Sequence, residues 1–218
     1  MSSDLQVTYI ERQPRRKRLA AHLSDGRMLS LTADVAARFR LAAGTVVGAD
    51  RLQQIADVQA REDAMTAAFR LIAFRPRSEN EVRRALTRRA IPAALQDEVV
   101  SRLSELGLLD DRAFAASFVE SRDGSSPRSR RLLAQELRQK GVTREIAAES
   151  TVGVDDADAA YRAAERRAGT MGALPYADFE RRLGSFLLRR GFSYETTRAT
   201  VRRLWQERPG DGEDERRT

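Results

Sequence analysis

At 218 residues with 41% apolar content, the chain can build one extended domain or two small ones without a covalent staple. It has no cysteine and a single histidine, His22, which excludes disulfides, thiolate chemistry, cysteine-ligated zinc and any multi-histidine metal site. Lysine and arginine number 39 against 32 acids, a balance of +7, but the excess is spread along the chain, so it predicts weak accessory affinity for single- or double-stranded DNA rather than a concentrated DNA-binding patch.

The polar start, Met1-Ser2-Ser3-Asp4, opens no apolar run of signal-peptide length, and no stretch is long enough to span a bilayer. A cytoplasmic protein with no membrane contact is expected. Val7-Thr8-Tyr9-Ile10 is β-prone, and Arg18–Leu23 and Met28–Leu31 flank Ser24-Asp25-Gly26-Arg27, a hairpin signal. Thr32 or Asp34 can then cap a short helix carrying Val35, Phe39 and Leu41, which Gly44 ends before Val46-Val47. Residues 1–58 therefore read as a small β-rich module.

From about Arg61 the periodicity turns helical and repeats. Leu86-Thr87-Arg88-Arg89-Ala90-Ile91-Pro92 aligns with Leu137–Thr143 and with Leu187–Ser193, and Pro76-Arg77-Ser78 recurs as Pro127-Arg128-Ser129. A common period of this length marks a repeated supersecondary unit. The leucine of each stretch is preceded one helical turn earlier by Val82, Leu133 or Leu183, which makes a narrow apolar stripe. Gly141 and Gly191 fall where a left-handed residue turns the chain back, and Ala90 takes that place at some cost. Ile91, Val142 and Phe192 can then pack on the helix just left. Pro92 suits the first turn of the next helix, whereas Thr143 and Ser193 suit its N-cap.

Flanking apolar faces complete three helices per unit, about nine in all. Met65, Ala68, Phe69 and Ile72 precede the first turn, and Leu95, Val99, Leu103 and Leu106 follow it. Phe114 and Phe118 serve the second unit; Tyr161, Ala164 and Ala168 serve the third, with Val201, Leu204 and Trp205. The expected fold is mainly α, an elongated array of three-helix repeats at 59–108, 109–153 and 154–208, after the β-rich module. The charged tail, 209–218, has no apolar residue to dock and is expected to be disordered.

Catalytic constellations are absent from this pattern. His22 sits in a hairpin strand and reads as a surface or edge residue, and no glycine-rich loop of phosphate-cradling spacing appears. Asp110-Asp111 and Asp155-Asp156, with Asp158, read as N-terminal helix caps rather than magnesium ligands. Arg89, Lys140 and Arg190 share a last-turn slot, where the helix dipole favours a cation. Arg77, Arg84 and Arg88 carry spacings of i, i+7 and i+11, and Arg131 with Arg138 i and i+7, so on a helix each set shares a face. These five, with Arg128 of the second Pro-Arg-Ser element, are the candidate binding residues; no cofactor, metal or catalytic residue is expected.

Phe74–Val82, Leu86–Ile91 and Leu103–Ala115 resemble the signature of the RecX family, and Leu132–Val142 resembles its second segment. The likeness covers most of residues 60–150, and the tandem three-helix architecture extends it to 207; the third unit lacks the Pro-Arg-Ser element. Residues 1–55 are similar to the β-rich extension that some members carry. The resemblance implies a non-enzymatic, monomeric modulator that binds the RecA recombinase filament along its groove and restrains ATP hydrolysis, strand exchange and co-protease action. Two rivals remain: a helix-turn-helix DNA binder, since short helices joined by tight turns also describe that module, and a purely structural scaffold.

Overall fold

The computed structural model describes residues 4–13 and 17–208; the tail expected to be disordered lies outside them. Strands β1 (Leu5–Gln13), β2 (Arg18–Leu23) and β3 (Met28–Leu31) are followed by helix α1 (Ala33–Arg38) and strand β4 (Val46–Val47). They form one antiparallel sheet in the order β3-β2-β1-β4. Gly26 at φ 88° makes the β2–β3 turn, and Thr32 caps α1 by accepting from the Val35 N–H at 3.2 Å. His22 lies on an inner strand and not at an edge, stacked on Tyr9 with ring centroids 4.0 Å apart.

Helix α2 runs unbroken from Ala49 to Phe74, so the boundary expected at residue 58 falls inside a helix. Ile55 and Val58 on its first half close the sheet's core with Val7, Ala21, Leu31, Val35 and Val47. Gln59 accepts from the Thr32 N–H at 2.7 Å, and Asp63 pairs with Arg18. The periodicity that marked Arg61 as a helical start had no breaker before it from Ala49 onward, so the same helix serves module and repeat.

Helices α3 (Glu79–Thr87) and α4 (Ala93–Glu105) complete the first triplet; α5 (Asp111–Ser125), α6 (Arg130–Gln139) and α7 (Arg144–Ser150) form the second. The third is α8 (Asp156–Gly169), α9 (Tyr176–Arg189) and α10 (Tyr194–Gln206). Among the described residues, β-structure is confined to the first fifty. The chain divides into two compact units, Met1–Phe74 with Ala85–Arg102, and Arg75–Arg84 with Leu103–Thr218.

Each repeat uses the stripe that the spacing predicts. Val82, Leu86, Leu133, Leu137, Leu183 and Leu187 are all fully buried. Gly141 and Gly191 adopt φ of 90° and 88°, and Ala90 holds the same left-handed turn at 56°. Pro92 stands at the cap of α4, one residue before its first turn, with its carbonyl accepting from Gln96 at 3.0 Å; the aligned Thr143 and Ser193 cap α7 and α10. The third repeat packs Ala159, Ala160, Ala164 and Ala168 beneath Phe179, Phe192 and Leu204, small residues on one helix admitting large ones from its neighbours.

Candidate binding surface

Consecutive repeats are joined by the motifs that recur in sequence. Ser78 caps α3, its Oγ accepting from the Glu81 N–H at 3.2 Å, and the same hydroxyl donates to the Lys140 carbonyl at 2.6 Å. One repeat later the Ser129 N–H donates to the Arg190 carbonyl at 3.1 Å. Each contact satisfies a carbonyl left orphaned at a helix C-terminus. Gly141 and Gly191 have no Cβ because the preceding repeat fills that space: a methyl on Gly141 would strike Asn80, and one on Gly191 would lie 2.6 Å from Ser129 Oγ and 2.7 Å from Leu132 Cβ.

The acid pairs divide their labour across the same joints. Asp110 and Asp155 cap their own helices, α5 and α8. Asp111 instead accepts from the Glu79 N–H at 2.9 Å, and Asp156 from the Arg130 N–H at 2.6 Å, so each caps the middle helix of the preceding repeat. Burial pushes Asp111 above the ordinary aspartate range, with Asp110 and Glu81 adding to it. Among the described residues no group of three or more acids or histidines could hold a metal ion.

The last-turn cations also serve the joints. Lys140 Nζ lies 3.4 Å from Glu81 and 5.5 Å from the Phe118 ring centroid. Arg190 donates to Ser126 Oγ at 3.0 Å and to the Pro127 carbonyl at 2.9 Å while covering Phe186. Arg89, in the first repeat, bonds Ala85 of its own helix at 3.2 Å. The dipole argument accounts for a cation in that slot but not for its partners, and only the pairing of repeats reveals them.

Of the candidate arginines, Arg84, Arg88, Arg131 and Arg138 are exposed, while Arg77 and Arg128 are half-buried. Helix α3 begins only after its cap Ser78, so Arg77 lies in the extended segment before it, and Arg88 follows its end; the helical face inferred for Arg77, Arg84 and Arg88 does not form as such. Arg131 and Arg138 both lie on α6 and share its solvent face. Arg128 is ion-paired with Glu136. Burial, and then Arg122 and Arg190 nearby, pull its pKa below the usual arginine range.

A cleft of about 360 Å³ opens where these joints meet the surface, lined by Arg84, Arg122, Arg128 and Lys140 against Glu81 and Glu136. Glu81 is held by a bidentate fork from Arg75, at 2.8 and 2.9 Å, and by Lys140; burial opposes its ionisation, yet these cations bring its pKa down to about 2. Glu136 must serve both Arg128 and Arg122, whose Nε stands 3.6 Å away and finds no hydrogen-bond partner among the described residues. The cleft carries more positive charge than its two carboxylates neutralise. Sequence reading missed Arg122 and Lys140 as parts of one site, because they meet only through the stacking of repeats; their spacing to Arg84 carries no local signal.

Family models for the first, second and third three-helix domains of RecX match residues 64–103, 110–150 and 155–201. The regulatory protein RecX of Pelodictyon phaeoclathratiforme is 34% identical over 70% of this chain and 94% of its own length. Its counterpart in Streptomyces coelicolor is 35% identical over 70% of this chain and 81% of its own. A crystal structure of a regulatory protein RecX superposes with a TM-score of 0.63 at 22% identity, covering 90% of this chain and 98% of that one. The crystal structure of RecX from Lactobacillus salivarius does so with a TM-score of 0.59 at 22% identity, over 68% and 99%.

Proposed function

This chain belongs to the RecX family of regulatory proteins, and from that premise we propose that it binds the RecA recombinase filament and restrains its ATPase, strand-exchange and co-protease activities. The observation that carries the reading is the regular stacking of three repeats through interlocking joints, which holds basic side chains of successive repeats in a fixed spatial series. A filament presents its protomers in an equally regular series, so contacts that are weak singly add by avidity. Exposed Arg84, Arg88, Arg131 and Arg138 are the proposed contacts, with Arg77 and Arg128 supporting them from half-buried positions.

The protein acts by occupancy and not by chemistry, as a monomer in the cytoplasm, with weak accessory affinity for DNA. No helix of the described chain is long and apolar enough to cross a membrane. The test is the DNA-dependent ATPase of RecA at saturating single-stranded DNA, with this protein titrated in. Inhibition that persists in excess DNA supports a filament contact, and the protein alone should release no phosphate from ATP. If excess DNA abolishes all inhibition, the protein competes for the strand and the filament reading fails. Tight, salt-resistant preference for one duplex sequence would favour the helix-turn-helix alternative.

A further inference from the structure

The β-rich module has a cleft of its own. It measures about 310 Å³ and is lined by Arg12, Gln13, Lys17, Arg18, Leu19 and Ala33, all within the first compact unit. The register that pairs Arg12 with Leu19 and Gln13 with Arg18 places these side chains together at one end of β1 and β2. Arg18 is fixed as a wall, ion-paired with Asp63 and donating to the Ser30 carbonyl at 3.1 Å. The neighbouring acid Glu11 lies 3.6 Å from His22. Among the described residues, Arg12 and Lys17 have no ion-pair partner. Gln13 adds a side-chain carbonyl oxygen that is shielded from water and accepts no hydrogen bond from any described residue.

Three kinds of group therefore converge. Two uncompensated cations suit a phosphodiester, which a guanidinium binds through a planar fork and an ammonium as a point charge. Leu19, Ala33 and the aliphatic stems of the basic residues make an apolar wall against which a planar ring can lie, with Arg12 able to stack on its other face. The shielded Gln13 oxygen lacks a donor, which an exocyclic amino group supplies. A concave site of this volume encloses a single nucleotide, whereas a duplex offers its phosphates over a broad convex surface.

We propose that this cleft is a single-strand nucleic-acid site, holding one backbone phosphate on Arg12 and Lys17 and the adjoining base against Leu19 and Ala33, with Gln13 accepting from the base amino group. The site requires no recombinase and goes beyond the filament reading, so the two can fail separately.

The test uses the full chain without RecA and a fluorescent deoxycytidine oligomer, whose bases carry amino groups, read by anisotropy across a salt series. The double variant R12E/K17E should weaken binding roughly ten-fold at low salt and flatten the logarithmic salt slope by about 1.4, or about 0.7 for each lost phosphate contact. The control R144E/R198E makes the same change in net charge on the second unit and should leave most of the affinity intact. Gln13→Leu should weaken the deoxycytidine oligomer several-fold and leave a thymidine oligomer unchanged. An abasic strand of equal charge should bind more weakly than either. Thermal melting of each variant checks that the fold is kept. The proposal is overturned if R12E/K17E binds like the parent, if the control variant loses as much, or if the abasic strand binds as well as the deoxycytidine oligomer.

Discussion

The hydroxyl of Ser78 reaches the carbonyl of Lys140 at 2.6 Å, so the cap of the first repeat's middle helix closes the end of the second's. This bond explains the distribution of the repeated motifs. The Pro-Arg-Ser element occurs in the first two repeats, each of which has a successor to grip. Glycine follows the middle helix in the last two, each of which has a predecessor pressed against it. Ala90 is tolerated in the first repeat because its place in the turn is exposed.

Substitutions at the turns should separate backbone strain from crowding. Gly107→Ala, at φ 67° with nothing near its added methyl, should cost about 1 kcal/mol for the left-handed conformation alone. Gly141→Ala and Gly191→Ala add collision with the preceding repeat and should cost about 2–4 kcal/mol. Ala90→Gly should be neutral or stabilise by up to about 1 kcal/mol. Chemical denaturation measures all four, and equal losses at Gly107 and Gly141 would remove the interlocking joint as an explanation.

Glu81 should make stability depend on acid pH. Its carboxyl falls from an ordinary 4.5 to about 2 in the folded chain, so the unfolded chain binds the proton more tightly. The stabilisation is complete above about pH 4.5 and is lost as the pH falls towards 2. Glu81→Gln should flatten that part of the stability profile, measured by denaturation midpoints at successive pH values. An unchanged profile would mean that Arg75 and Lys140 do not stabilise the ionised form.

The caps that cross between repeats respond to a different substitution. Asp111 has a raised pKa, so its ionisation costs stability as the pH rises through the carboxylate range, opposite in sign to Glu81. Asp111→Asn keeps an oxygen for the Glu79 N–H and should stay within about 0.5 kcal/mol of the parent at neutral pH, whereas Asp111→Ala should lose about 1 kcal/mol. Equal stabilities for the two variants would deny the cap.

Charge reversals should divide surface from joint. Reversing Arg131 and Arg138, or Arg84 and Arg88, should weaken RecA filament binding with little change in melting temperature, because exposed charges contribute little to stability. Arg128→Glu should lower the melting temperature, since it sets a second carboxylate against Glu136 in a half-buried cluster. Filament co-sedimentation and thermal melting are the measurements, and normal binding by both double reversals would leave those arginines as merely solvated.

Truncation of the third repeat needs a different reading from simple loss of contacts. Asp156 caps α6 and the Arg190 carbonyl receives Ser129, so removal of residues 155–218 should also loosen the second repeat. Hydrogen exchange at the start of α6 should rise in the truncated chain, which would separate this effect from lost avidity.

The sequence alone determined what is local or periodic. The β2–β3 hairpin, the three stripes headed by Leu86, Leu137 and Leu187, the left-handed turns and the caps at Thr143 and Ser193 depend on residues within a few positions of one another. Their physics is complete in a short window. The tertiary structure decided whatever depends on groups some sixty residues apart: which carbonyl Ser78 satisfies, why Gly141 must lack a side chain, and which amide Asp111 caps. It also decided that Arg128 is held by Glu136 while Arg131 stands in solvent, although both are arginines at the head of one helix. A charge's role is set by the dielectric and the partners around it, and those exist only after the repeats have stacked.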